Sequence, residues 1–327
     1  RRTSDTGGGN MERSHARRVR LLAAVLATAA MATPAAVAAE SRTGTLSFGG
    51  HERTYRVYTP AAAGRPLPVV LVLHGGGGTG AGMERLTRGA FNRLADQHGF
   101  VVLYPDGLDR HWNDGRGVAT YRAHRENVDD VAFLMALVDE IGRRTPIDRA
   151  RVYATGISNG GLMSFRLATS AAARIAAIAP VAISMSEPLA RTGGPPRPTS
   201  MLLMPGTDDP LVPWEGGEIG LPGRRGVGRV VSVAETVRLW TSRCGCPATP
   251  TVAYEPDRDP ADGTRVRREH YAPCRDGVEV VLYAVEGGGH TWPGGVPYLP
   301  ARIIGRTSRD LDASSLIWSF FSRQTRR

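Results

Sequence analysis

Two hydrophobic periods alternate along the chain from residue 53 onward. The segment R-T-Y-R-V-Y at 53–58 alternates polar and apolar positions, the mark of a half-buried strand, whereas V-V-L-V-L at 69–73 is continuously apolar, as in a strand covered on both faces. The spacing predicts a helix over Met83 to Gln97, a strand at 101–104, and a helix over Val128 to Ile141 with its apolar residues on or near one face. A strand at 152–155 and a helix over Leu162 to Ala172 follow, and apolar runs at 175–183 and 201–204 continue the series. A helix around Val230 to Trp240, a strand at 278–285 and a helix near Leu311 to Phe321 complete it. Strands alternating with helices imply an α/β fold, a mostly parallel central sheet with helices on both faces. No repeat or linker divides residues 40–327, which read as a single catalytic domain, and the Gly-rich stretch from Glu215 reads as a loop on it.

Residues 1–39 have a different pattern. A basic start from Met11, an apolar run from Leu21 rich in Leu and Ala, and the small residues A-V-A-A predict a secretory signal peptide behind an upstream extension. Cleavage is expected after Ala38 or Ala39, giving a secreted or extracellular protein, or a periplasmic one, with no stable membrane association once the leader is removed. The formal charge of +10 over 327 residues rests on arginine alone, since no lysine occurs. No stripe of clustered Arg with interleaved aromatics appears, so nucleic acid is not an expected partner. An exported chain with three cysteines, Cys244, Cys246 and Cys274, is expected to hold one disulfide and one leftover thiol. Without a matching His cluster the three make a poor zinc site, and no metal or organic cofactor is expected.

One G-x-S-x-G occurs, Gly156-Ile157-Ser158-Asn159-Gly160, between the strand R-V-Y-A-T and a helical pattern. A strand–turn–helix context is what a nucleophile elbow needs, with Ser158 exposed at a helix N-terminus. After the strand at 69–73 comes His74-Gly75-Gly76-Gly77-Gly78. Its backbone N–H groups, at Gly75 or Gly76, would join that of Asn159 in an oxyanion hole, with His74 orienting the loop. Of the eight histidines only His270 and His290 lie downstream of Ser158. His270 sits in a charged strand and reads as surface, whereas His290 follows an apolar strand in G-G-G-H-T-W and is the expected base. Asp208 and Asp209 stand at the carboxyl end of the strand at 201–204, where an acid can hold the base's other ring nitrogen.

Trp112, Asn113 and Trp292 are candidates to line the substrate pocket, with core packing as the competing reading. Trp240, Trp318, Phe320 and Phe321 sit on helices and read as core, and Asp129 and Asp130 as charges stabilising a helix N-terminus. The stretch D-R-D-P-A-D-G at 257–263 misses the calcium-loop spacing by one residue and reads as a turn.

Seven segments together, H-G-G-G-G, Y-P-D-G, W-N-D-G-R-G, V-D-D-V-A-F, G-I-S-N-G-G, G-T-D-D-P-L-V-P and E-G-G-G-H-T-W-P-G-G, resemble the secreted polyhydroxybutyrate depolymerase-like esterases. The resemblance runs from about Thr43 to Phe321 and implies an α/β-hydrolase fold related to feruloyl and acetylxylan esterases. It implies Ser158 as nucleophile, His290 as base and, from G-T-x-D, Asp209 as the acid. It also implies a disulfide between Cys246 and Cys274, leaving Cys244 over. Pro205 departs from the pattern, where relatives often carry His. The expected substrate is a small-molecule or oligomeric ester, of hydroxybutyrate first and of feruloyl or acetylxylan type second. A non-catalytic surface-binding protein on the same scaffold is the reading outside enzymes.

Overall fold

The parity of the buried run in β3 (Leu67–Leu73) assigns its residues to opposite sides of the molecule. In this computed structural model, which describes residues 39–61, 65–220 and 226–326, Val69, Leu71 and Leu73 join one core cluster with Phe133, Leu137, Leu162 and Trp240. Val70 and Val72 join another with Phe91, Phe100, Trp318 and Phe321. Successive side chains of a strand point to opposite faces, so a strand with no polar position must be covered on both. All the described residues belong to one compact unit, and the expected leader lies outside them.

The remaining strands are β1 (Glu40–Phe48), β2 (His51–Thr59), β4 (Val101–Pro105), β5 (Ile147–Ile157), β6 (Ala177–Val181), β7 (Ser200–Leu203), β8 (Gly217–Glu218), β9 (Arg229–Val230), β10 (Thr251–Tyr254), β11 (Arg265–Tyr271) and β12 (Val280–Glu286). Between them run the helices α1 (Gly80–Leu86), α2 (Ala90–His98), α3 (Arg122–Arg125), α4 (Asp130–Arg144), α5 (Asn159–Ser170), α6 (Glu187–Ala190), α7 (Val233–Cys244), α8 (Ala301–Ile304) and α9 (Ala313–Phe321). The main sheet has the order β1-β2-β4-β3-β5-β6-β7-β12-β11-β10. The run from β4 to β12 is parallel throughout, and both flanks are antiparallel. α4, α5 and α7 supply one face and α2 and α9 the other. The expected layered α/β sheet is therefore present.

Three features differ from the pattern read in the sequence. The helix expected over Met83 to Gln97 is two, α1 and α2. Its apolar period is unbroken, but Arg88 and Gly89 take φ of 55° and 63°, and Thr87 Oγ1 turns back to the carbonyls of Met83 and Glu84. The Gly-rich loop folds back on itself as the small β8–β9 pair. The edge strands β1 and β10 carry no apolar alternation strong enough to announce them, and Val252 and Tyr254 of β10 are exposed.

Both acids open α4 as expected, and Asp130 does more. Asp129 is the N-cap, accepting from the Ala132 N–H, and Asp130, in the first turn, is fully buried. Its two oxygens accept from Arg53 Nη2 and from the Asn113 N–H, both at 2.7 Å. Arg53 in turn lies 3.9 Å from the centre of the Phe133 ring. The pair ties β2, α4 and the loop after β4 together.

Candidate active site

β5 delivers Ser158 at its carboxyl end, and α5 begins with the next residue. Ser158 has φ 55° and ψ −119°, a conformation L-residues seldom adopt and one that persists only where the surroundings enforce it. Here the enforcing contact is close packing of the turn on β3. A Cβ on Gly156 would stand 2.6 Å from the Leu73 carbonyl oxygen, and one on Gly160 would stand 2.3 Å from it. Only glycine fits at either position. Ser158 also caps α5 without using its side chain, so its Oγ and the first N–H groups of the helix stay available to the cleft.

The Gly-rich loop after β3 is held by His74. Its Nε2 accepts from the Gly107 N–H at 2.9 Å, so Nδ1 carries the proton and donates to the Gly75 carbonyl at 2.8 Å. Burial lowers the His74 pKa to about 4, keeping the ring neutral in that arrangement. The Gly75 carbonyl also accepts from the Gly78 N–H, and the Gly77 N–H donates to the Arg110 carbonyl. Gly75 and Gly76 both line the cleft beside Ser158 and Asn159.

Asn159 is fixed by its side chain. Its Oδ1 accepts from the Trp112 N–H at 2.8 Å, and its Nδ2 donates to the Trp112 carbonyl at 3.1 Å and to Asp114 Oδ2 at 2.5 Å. Asp114 in turn pairs with the Arg116 guanidinium at 2.9 Å. The segment W-N-D-G-R-G thus clamps the residue that follows the serine. Asp114 and Arg116 were not among the candidate site residues, although that segment contains both.

Asp209 and His290 meet across 2.7 Å, Nδ1 to Oδ2, with both side chains almost fully buried. The other Asp209 oxygen accepts from the N–H groups of Leu211 and Val212 at 2.8 and 2.9 Å, which fixes the carboxylate. Asp208 points away, exposed and bonded to Thr207 Oγ1. The His290 backbone is anchored through its N–H to Ile304 and through its carbonyl to the Tyr298 hydroxyl at 3.0 Å. His270 lies on β11 beside Glu279.

His290 and Ser158 line the same cleft, of about 960 Å³. Its walls are largely apolar, from Leu86, Leu211, Ile219 and Val227 to the exposed Val296 and Leu299. His111 and Tyr121 contribute stacked rings 4.0 Å apart. The three residues expected as pocket walls do not reach it. Trp112 is fully buried with its Nε1 on the His74 carbonyl, and Trp292 is 2% exposed, its Nε1 donating to Ser314 Oγ and its ring packed on the Phe91 edge. Asn113 spends its side chain on the Val128 carbonyl and Asn127. An indole N–H needs a partner when buried, and in both Trp residues the partner is inside the protein.

Comparison with known proteins is consistent with this geometry. The family model described as Esterase PHB depolymerase matches residues 53–185. NocK of Nocardia uniformis subsp. tsuyamanensis, an esterase by name, is 34% identical over 280 residues, 83% of this chain and 79% of its own. The chain belongs to the PHB depolymerase-like esterases. Like other members of that family it is a carboxylic ester hydrolase. Feruloyl esterase B of Piromyces equi is 28% identical over 204 residues; the alignment covers 61% of this esterase but 35% of that longer protein. Among solved structures, the acetyl xylan esterase from Aspergillus awamori superposes with a TM-score of 0.52 at 16% identity, over 86% of this chain and 99% of that one, which shows a shared α/β-hydrolase fold.

The disulfide expected from the resemblance is present between Cys246 and Cys274, 28 positions apart. Cys244 is a buried free thiol, and burial pushes its pKa up to about 11. Among the described residues no helix is long and apolar enough to cross a membrane.

Proposed function

We propose that the protein is a secreted serine esterase that hydrolyses hydroxybutyrate esters, oligomers or polyhydroxybutyrate itself, through Ser158, Asp209 and His290. The observation that carries this reading is the Asp209–His290 pair at 2.7 Å, on the same cleft as the strained Ser158 turn. In the proposed cycle His290 Nε2 takes the Ser158 proton as Oγ attacks the ester carbonyl. The oxyanion rests on the N–H of Asn159 and that of Gly75 or Gly76. Collapse breaks the C–O bond to the alcohol, which leaves with the proton from His290, and water hydrolyses the acyl-enzyme by the same steps. Asp209 holds the Nδ1 proton and stabilises the imidazolium.

The hydroxybutyrate assignment is supported by the family and by the size of the cleft, much larger than an acetyl group needs. A second reading, feruloyl or acetylxylan ester cleavage, is favoured by the stacked His111 and Tyr121 rings, which offer a flat aromatic acyl group a surface, and by the names of the relatives. Secretion is supported by the disulfide, which persists in an oxidising compartment, and by the leader pattern in the sequence. Hydrolysis of hydroxybutyrate oligomers, feruloyl sugars and acetylated xylan, measured side by side, tests the substrate. Fastest turnover of the oligomers is expected, and faster turnover of feruloyl or acetylxylan esters would reverse the assignment.

A further inference from the structure

The cleft carries positive charge that its own walls leave uncompensated. Arg85, Arg110 and Arg116 line it, and no Asp or Glu does so among the described residues. Arg116 is spoken for, paired with buried Asp114 and donating to the Val227 carbonyl at 2.7 Å. Arg85 and Arg110 are exposed, and neither forms an ion pair among the described residues. The acids next to them in the chain are engaged elsewhere. Glu84 is held by Arg56 and Asn92, and Asp109 faces Arg122 at 3.6 Å. Among the described residues the Arg110 side chain donates one hydrogen bond, a long one, from Nε to the Gly78 carbonyl at 3.4 Å.

Arg110 is also held where it is at a conformational cost. Asp109 and Arg110 both have positive φ, 48° and 63°, and the Arg110 carbonyl accepts from Gly77 in the loop beside Ser158. Two adjacent L-residues in the left-handed region are strained, and such strain collects where function fixes a side chain. The rest of the lining is mostly apolar. An apolar cleft with two guanidinium groups that form no ion pair among the described residues fits an apolar chain that ends in an anion.

We infer that the esterase recognises substrates bearing a free carboxylate, with Arg85 and Arg110 as its specificity-determining contacts. The matching chemical class is a short hydroxyacyl oligoester with a terminal carboxylate. Interior polymer segments, alkyl esters and acetylated sugars lack that group. The inference rests on the serine-esterase reading of the cleft. Ion pairs at exposed positions give up to about fivefold in affinity each, so two arginines favour the acid over its neutral ester by roughly tenfold or more.

The test is equilibrium binding to the full-length Ser158→Ala protein of a hydroxybutyrate trimer as the free acid and as its methyl ester, measured by calorimetry. The acid should bind roughly tenfold more tightly at low salt, and the advantage should shrink as salt is raised. Arg85→Gln and Arg110→Gln should each remove about threefold of it, and Arg110→Lys should restore most of the second loss. Equal binding of acid and ester, no detectable binding of the acid, or a preference that survives in the double variant overturns the inference. Hydrolysis of the methyl ester by the wild-type protein separates this from the underlying reading. Hydrolysis without a binding preference defeats the arginine assignment alone, whereas a binding preference without hydrolysis sustains it and defeats the serine mechanism.

Discussion

Replacing Asp209 by Asn changes one atom, and the surroundings dictate the consequence. The Asp209 oxygen that faces Leu211 and Val212 accepts two backbone N–H groups at 2.8 and 2.9 Å. In Asp209→Asn the amide must present its oxygen there, because the reverse orientation leaves two buried N–H groups facing an NH2, at a cost of about 1–3 kcal/mol each. The NH2 then faces His290 Nδ1, 2.7 Å away in the wild type. Nδ1 must become the acceptor, and the ring proton moves to Nε2, the nitrogen proposed to take the proton from Ser158. A base in the wrong tautomer loses about 10⁴-fold in kcat, or ~5 kcal/mol of transition-state stabilisation. Asp208→Asn alters an exposed carboxylate bonded to Thr207 and should change kcat by less than about twofold. Steady-state hydrolysis of p-nitrophenyl butyrate by both variants, with melting temperatures to confirm folding, decides the matter. An Asp209→Asn enzyme within tenfold of wild type, or a larger loss from Asp208→Asn, would refute the assignment.

Three further outcomes follow from the packing. Trp292→Ala empties a buried site against Phe91 and Ser314 and should cost about 3–5 kcal/mol in denaturant unfolding, with the ranking of ester substrates preserved; an altered ranking at unchanged stability would return Trp292 to the pocket. His74 has a native pKa of about 4 against an ordinary 6.5, so both states are neutral above pH 6.5 and the unfolded chain alone takes up the proton as pH falls toward 4. Stability should drop by about 2–3 kcal/mol between pH 7 and 4.5 from this group, and the pH slope should flatten in His74→Gln; an identical slope in the variant would exclude His74 as the source. Replacing Cys246 and Cys274 together by Ser opens a loop of 28 positions and should cost about 3–4 kcal/mol, and a double variant as stable as wild type would contradict the chain-entropy argument.

What could be read from the sequence was chemistry that sits at strand ends. A parallel sheet presents the carboxyl ends of β3, β5 and β7 on one side, and His74, Ser158 and Asp209 each follow an apolar run within a few residues. The order of the motifs therefore suggested which residues converge. Direction was harder to read. An aromatic next to a motif residue can point outward or inward, and Trp112 and Trp292 point inward because His74 and Ser314 satisfy their indole N–H groups there. The walls of the cleft come from segments with no motif, Ile219 beside β8 and Val296 to Leu299 after His290, so nothing local marked them. Asp130 is a first-turn acid of α4, and nothing local in the sequence marks its pairing with Arg53, far away in the chain. The break between α1 and α2 rests on left-handed Arg88 and Gly89, and of the two only the glycine is marked by residue preference.

The central claim is that Ser158 is the nucleophile. A serine-directed fluorophosphonate forms a stable bond to an activated Oγ, so peptide mapping by mass spectrometry after labelling reads the claim directly. One stoichiometric adduct on Ser158 is expected, none in Ser158→Ala, and labelling slowed by orders of magnitude in His290→Ala. An adduct on another residue, or a folded wild-type protein that takes up no label while hydrolysing esters, would contradict it.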